Sequence, residues 1–77
     1  MSDSASWITF GKERYWQHPD MEQWCQKHIG QGGWSYDTPK TWDGMGGKIW
    51  IMHSMFGNIT YAFKEPSHLT MFLLVWA

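Results

Sequence analysis

Among these 77 residues there is one cysteine, Cys25, so no internal disulfide can form. Four scattered histidines do not supply a structural zinc set. Charge is also sparse. Six Lys plus Arg stand against seven Asp plus Glu, a net charge of −1. A nucleic-acid binder normally carries a basic stripe, and a DNA mimic would be strongly acidic; neither pattern is present. The longest apolar run, residues 71–77, is far short of the roughly 20 residues that cross a bilayer as a helix. The opening MSDSASWITF lacks the basic start and apolar core of a signal peptide. There are no repeats and no low-complexity tract. These absences lead to the expectation of one soluble, cytosolic domain spanning residues 1–77, with no membrane partner and no cofactor.

Aromatic residues are abundant. Seven tryptophans, three tyrosines and four phenylalanines must reinforce a core that, at this length, supplies only roughly 3–5 kcal/mol of net stability. The larger rings bury on the order of 150–250 Å² each, more than so small a core hides completely. Part of that surface is expected to face outward, where aromatic patches serve binding.

Residues 1–5 are expected to form a frayed polar tail. Residues 6–11 (SWITFG) alternate as a strand, with Ile8 and Phe10 on one face and Trp7 and Thr9 on the other. Residues 12–16 fit either a covering loop or an irregular extended segment. Residues 19–29 carry the clearest helix signals. Pro19 and Asp20 stand in the first turn, Lys27 and His28 in the last, and Gly30 beyond the end. Met21, Trp24, Cys25, His28 and Ile29 make its apolar stripe.

Residues 31–47 contain five glycines and Pro39 and read as a long loop, with a brief extended piece around Trp34 to Tyr36. Residues 48–53 (KIWIMH) and 58–63 (NITYAF) read as a hairpin of two strands. Pro66 starts a short helix carrying Leu69 and Phe72, and residues 73–76 (LLVW) read as a closing strand.

This order predicts an α+β, ferredoxin-like split βαβ fold (βαββαβ), a four-stranded antiparallel sheet with two helices on one face. Ile8, Phe10, Ile49, Ile51, Ile59, Tyr61, Phe63, Leu74 and Trp76 are expected to face the helices. Trp7, Thr9, Trp50, Met52, Thr60, Ala62, Leu73 and Val75 would line the other face. That face is too apolar to meet water. Either the 31–47 loop or another chain should cover it.

No catalytic constellation emerges. Cys25 and His28, one helical turn apart, would need further partners to bind a metal or form a nucleophile pair, and Cys25 falls on the apolar stripe, where inert thiols are the rule. Asp37, Asp43, Glu13, Glu22 and Glu65 show no paired spacing for acid–base work. The GMGGK run (44–48) precedes a strand rather than opening a helix, so it reads as a turn, not a phosphate loop. The expectation is therefore no catalytic residue and no metal ligand.

Two resemblances add to this reading. The stretch GNITYAF (57–63) followed by KEPSHLTMF resembles the signature strand and second helix of RNA-recognition domains. Such domains stack bases on aromatics of their central strands, but the matching positions here are Asn58 and Thr60, and the expected basic residue is Phe56. Trp7 and Trp50 remain as stacking platforms, so a degenerate single-stranded nucleic-acid binder is the alternative reading. DMEQWCQKHIG (20–30), joined to FGNITYAFKEPSHLTMFLLVWA (56–77), resembles small proteins of tailed bacteriophages. That resemblance implies a phage protein made in the infected cell, which occupies a surface of a host protein or serves as a minor virion component. The leading expectation is thus a non-enzymatic interaction module that binds a host protein, or itself as a homodimer. Its expected contacts are Trp7, Trp34, Tyr36, Trp42, Trp50, Met52, Leu73 and Val75, because Trp and Tyr dominate binding hot spots.

Overall fold

The computed structural model describes residues 6–36, 42 and 46–76, together with the backbone but not the side chain of Met55. The expected tail and residues 37–41 and 43–45 of the glycine-rich stretch lie outside the described residues. The elements in chain order are β1 (Ser6–Phe10), a 3-10 helix (Lys12–Gln17), α1 (His18–His28), β2 (Gly32–Trp34), β3 (Trp50–Met55), β4 (Asn58–Phe63) and α2 (Pro66–Trp76).

The described residues form an α+β fold, with two α-helices and one four-stranded sheet of order β1-β4-β3-β2. It departs from the expected ferredoxin-like arrangement in two ways. The sheet is mixed, since β2 runs parallel to β3 while the other two pairs are antiparallel. Its fourth strand is the short extended piece at Gly32–Trp34, not residues 73–76, which continue α2. Nothing between Phe72 and Leu73 stops the helix: there is neither glycine nor proline, and Leu69, Phe72 and Trp76 keep one helical face. Arg14 reinforces the end of α2. Its Nη2 donates to the carbonyl oxygen of Trp76 at the negative end of the helix dipole, while its guanidinium lies 5.0 Å from the Phe10 ring centre.

Residues facing α1 and α2 follow from strand register. Phe10 stands opposite Ile59, Ile8 opposite Tyr61, Met52 opposite Tyr61 and Trp50 opposite Phe63. These side chains, with Met21 and Cys25 of α1 and Phe72 of α2, form the core. Phe72 is its hub, with ring centres 5.0 Å from Tyr61, 5.2 Å from Phe63, 5.9 Å from Trp24 and 6.0 Å from Phe10.

Trp50 and Met52 therefore belong to the core, not to the outward face. The physical reason is local. The indole of Trp50 lies against residue 32, where any β-carbon would collide with the ring, and its Nε1–H donates to the carbonyl of Gly30 at 2.8 Å. Part of the 31–47 glycine content thus makes room for one tryptophan. Ile51 takes the opposite face, level with Ala62. Leu74, expected inside, is 82% exposed on α2.

The face away from the helices is closed at its centre by the chain itself, because Ile51 and Ala62 have no exposure and Thr60 little. Thr9 and Thr60 exchange a 2.7 Å hydroxyl hydrogen bond there. A parallel pair such as β2–β3 needs a crossover connection. Trp42, within that connection, is half-buried, and its Nε1 is shielded.

Candidate aromatic interaction surface

Three strands deliver exposed aromatic groups to one end of the sheet. Trp34 on β2 is level with Met52, and the amide of Ser35 donates to the Met52 carbonyl, so the chain leaves β2 toward the β3–β4 turn. Tyr36 follows immediately. At the turn itself stand Phe56 and Gly57, both with positive φ, 53° and 84°. β1 reaches the same end, with Phe10 level with Ile59, and continues into the 3-10 helix bearing Tyr15 and Trp16. Lys12 lies against the turn, since a β-carbon at Gly57 would be 3.6 Å from that of Lys12.

Two features distinguish this end from ordinary exposed surface. Trp34 and Tyr36 are 50% and 85% exposed, yet their rings lock edge to face with centres 4.8 Å apart. Such a pair is pre-organised in water, so little side-chain freedom remains to be lost on binding. Phe56 is 95% exposed in a left-handed conformation that a turn would normally give to Asn or Gly. An apolar ring held on a strained backbone and hidden from nothing is a poor arrangement for stability alone.

No group of three metal-ligating side chains occurs among the described residues. Cys25 is fully buried, and burial, assisted by the nearby Glu22 carboxylate, pushes its thiol up to about 12. It therefore stays protonated. Burial first, then Glu22 and Cys25, also raise the Tyr61 hydroxyl, which donates to the His18 carbonyl at 3.2 Å. Glu22 itself accepts from or pairs with His18 Nδ1 at 2.7 Å. His28 does not join Cys25; its ring stacks on Trp24 at 5.0 Å on the outside of α1. Gly46 and Gly47 form a turn with positive φ before β3, as expected for the GMGGK run, and Gln31 Nε2 donates to the Gly46 carbonyl at 3.2 Å.

No family model, curated protein or solved structure matches this chain.

Of the eight expected contact residues, the fold brings only Trp34 and Tyr36 together. Trp7 is exposed but sits on β1, the opposite edge of the sheet, and on the face away from the helices. Trp42 and Leu73 are half-buried, and Val75 is exposed on α2. Trp50 and Met52 present no surface to a partner. Sequence reasoning missed Phe56, Tyr15, Trp16, Met71 and Leu74. A signal for Phe56 did exist: a non-glycine residue directly before Gly57, between two runs that read as strands, occupies the first position of a two-residue hairpin turn.

Proposed function

We propose that this chain is a non-enzymatic interaction module whose contact surface is the aromatic end of the sheet, centred on Trp34, Tyr36 and Phe56. The observation that carries this reading is the Trp34–Tyr36 pair, exposed and already locked ring to ring. Large, stiff aromatic groups surrounded by polar rim residues are the usual anchors of protein contacts, and Lys12 and Asn58 supply such a rim here. The resemblance to small tailed-phage proteins makes the partner a protein of the infected bacterium, met in its cytoplasm, whose activity the module modulates or inhibits.

The test begins with capture of a partner from a bacterial lysate on the immobilised chain, its identification by mass spectrometry, and calorimetry on the purified pair. Trp34→Ala and Tyr36→Ala should each weaken binding at least about tenfold, a loss of roughly 1.4 kcal/mol or more, while far-UV circular dichroism stays that of the parent. Wild-type affinity in both variants would remove the surface from consideration.

A further inference from the structure

β1 is an edge strand, bonded on one side to β4 and on the other to no strand among the described residues. Its sequence, SWITF, has no charge and no proline, the devices by which edge strands normally avoid pairing with another chain. The other edge, β2, is only three residues long and contains two glycines. Lying over β1 and β4 is α2, whose eleven residues PSHLTMFLLVW include no Asp, Glu, Lys or Arg on any side. Leu74, Val75 and Met71 of that helix face solvent. By contrast, the 3-10 helix and α1 carry Lys12, Glu13, Arg14, Asp20, Glu22 and Lys27. The molecule thus has one side whose strand edge and helix carry no charged residue of their own, with Arg14 reaching in only at the Phe10 and Trp76 ends.

We infer that a second copy of this chain occupies that side, with the two β1 strands paired antiparallel about a two-fold axis midway between Ile8 and its counterpart in the second copy. The register follows from the pleat. Directly opposed residues of an antiparallel pair share a face, and centring on Ile8 uses the whole of Ser6–Phe10, setting Ser6 opposite Phe10 and Trp7 opposite Thr9. Spacing then decides what happens to the helices. Strands in a sheet are roughly 4.8 Å apart, and α2 straddles β1 and β4, so its axis lies about half a spacing inside β1. The two-fold axis lies half a spacing outside. The two α2 helices consequently come to about 9.6 Å apart, within the 8–10 Å at which helices pack. Pairing the edges therefore brings together two helices that have no charges to repel one another, and Trp7, 56% exposed in the single chain, gains a cross-strand neighbour. An uncharged surface that meets its own copy across a two-fold axis is self-complementary without needing opposite charges.

Sedimentation equilibrium of the full chain from micromolar to millimolar concentration should show the mass rising from 9.1 kDa toward twice that value. Hydrogen exchange at the two ends of that range should show β1 amides slowed only at the high end. Thr70→Lys with Leu74→Lys, both at exposed positions of α2, should raise the dissociation constant at least tenfold and leave the circular dichroism unchanged. A mass of 9.1 kDa throughout would overturn the inference, as would a dimer whose β1 amides exchange equally fast at both concentrations or a double-lysine variant that dimerises like the parent. Trp34→Ala and Tyr36→Ala leave this equilibrium untouched, so failure here and failure of the proposed interaction surface are separately readable.

Discussion

Phe56 is the residue whose environment fits it least. A bulky side chain in the left-handed region costs about 1–2 kcal/mol relative to its ordinary backbone, and this one recovers nothing by burial. Replacing it by Asn, which tolerates that conformation and makes the favoured Asn-Gly turn, should stabilise the fold by about 1 kcal/mol. For a domain of this length that is a rise of roughly 4–8 °C in Tm, measurable by a thermal melt. If the ring is kept for binding, the same variant loses affinity for the captured partner as it gains stability. An unchanged or lower Tm would mean that the phenylalanine makes a stabilising contact its exposure does not reveal.

Among the elements, α2 is seated on the core chiefly by one side chain, with Leu69 and Trp76 packed beside it. Phe72 touches Phe10 of β1, Trp24 of α1, Tyr61 and Phe63 of β4 and Trp76 of its own helix. Phe72→Ala removes all five contacts and leaves a cavity, a change that costs about 3–5 kcal/mol. A domain of this size has about that much net stability. The expected outcome is a largely unfolded chain at 25 °C, read from the loss of near-UV circular dichroism; retention of a cooperative melt near that of the parent would show that the core collapses onto the gap.

How much of these elements could be read from sequence depended on how clearly polar and apolar residues separated. β4 was legible to its ends, because Lys64, Glu65 and Pro66 stop it cleanly after Phe63, and α1 was legible within a residue at each end through Pro19, Asp20, Lys27 and His28. Where β3 begins, Ile49, which precedes it, and Trp50, Ile51 and Met52 within it are all apolar, so alternation names no face, and the expected outward placing of Trp50 and Met52 does not hold. Residues 73–76 failed for a related reason. A four-residue apolar run suits a strand or the last turn of a helix equally; what favours the helix is that Trp76 continues the face of Leu69 and Phe72, which packs on Phe10, Tyr61 and Phe63. The Trp34–Tyr36 pair was partly legible, since both residues were expected at the surface. Their ring contact depends on the parallel pairing of β2 with β3, which no local pattern announces.

At the scale of the whole molecule, stability should respond to alkali through two buried groups, the Cys25 thiol and the Tyr61 hydroxyl. Folding lifts Cys25 from 9.0 to about 12 and raises Tyr61 above its ordinary 10.0, so the folded chain keeps protons that the unfolded chain releases. The sign is set by that difference: stability is fully present below about pH 9 and falls as pH climbs through the interval between unfolded and folded values. Each such group contributes at most about 1.4 kcal/mol per pH unit. Urea midpoints should therefore drop between pH 9 and 11, and the drop should be shallower in Cys25→Ala. A midpoint flat across that range would show that the thiol and phenol titrate in the folded chain as they do in water.

The position of β1 also sets a timetable. It is made well before β4, its partner in the sheet, and the hydroxyl pair Thr9–Thr60 spans 51 positions. At ribosomal speeds of roughly 5–20 residues per second, β1 waits on the order of 3–10 s before anything can seat it. β3 and β4, separated by a two-residue turn, meet almost as soon as they exist. Among the described strands, the one with the least protected edge is thus made before the others and housed last, and during that interval SWITF is open to capture by a neighbour.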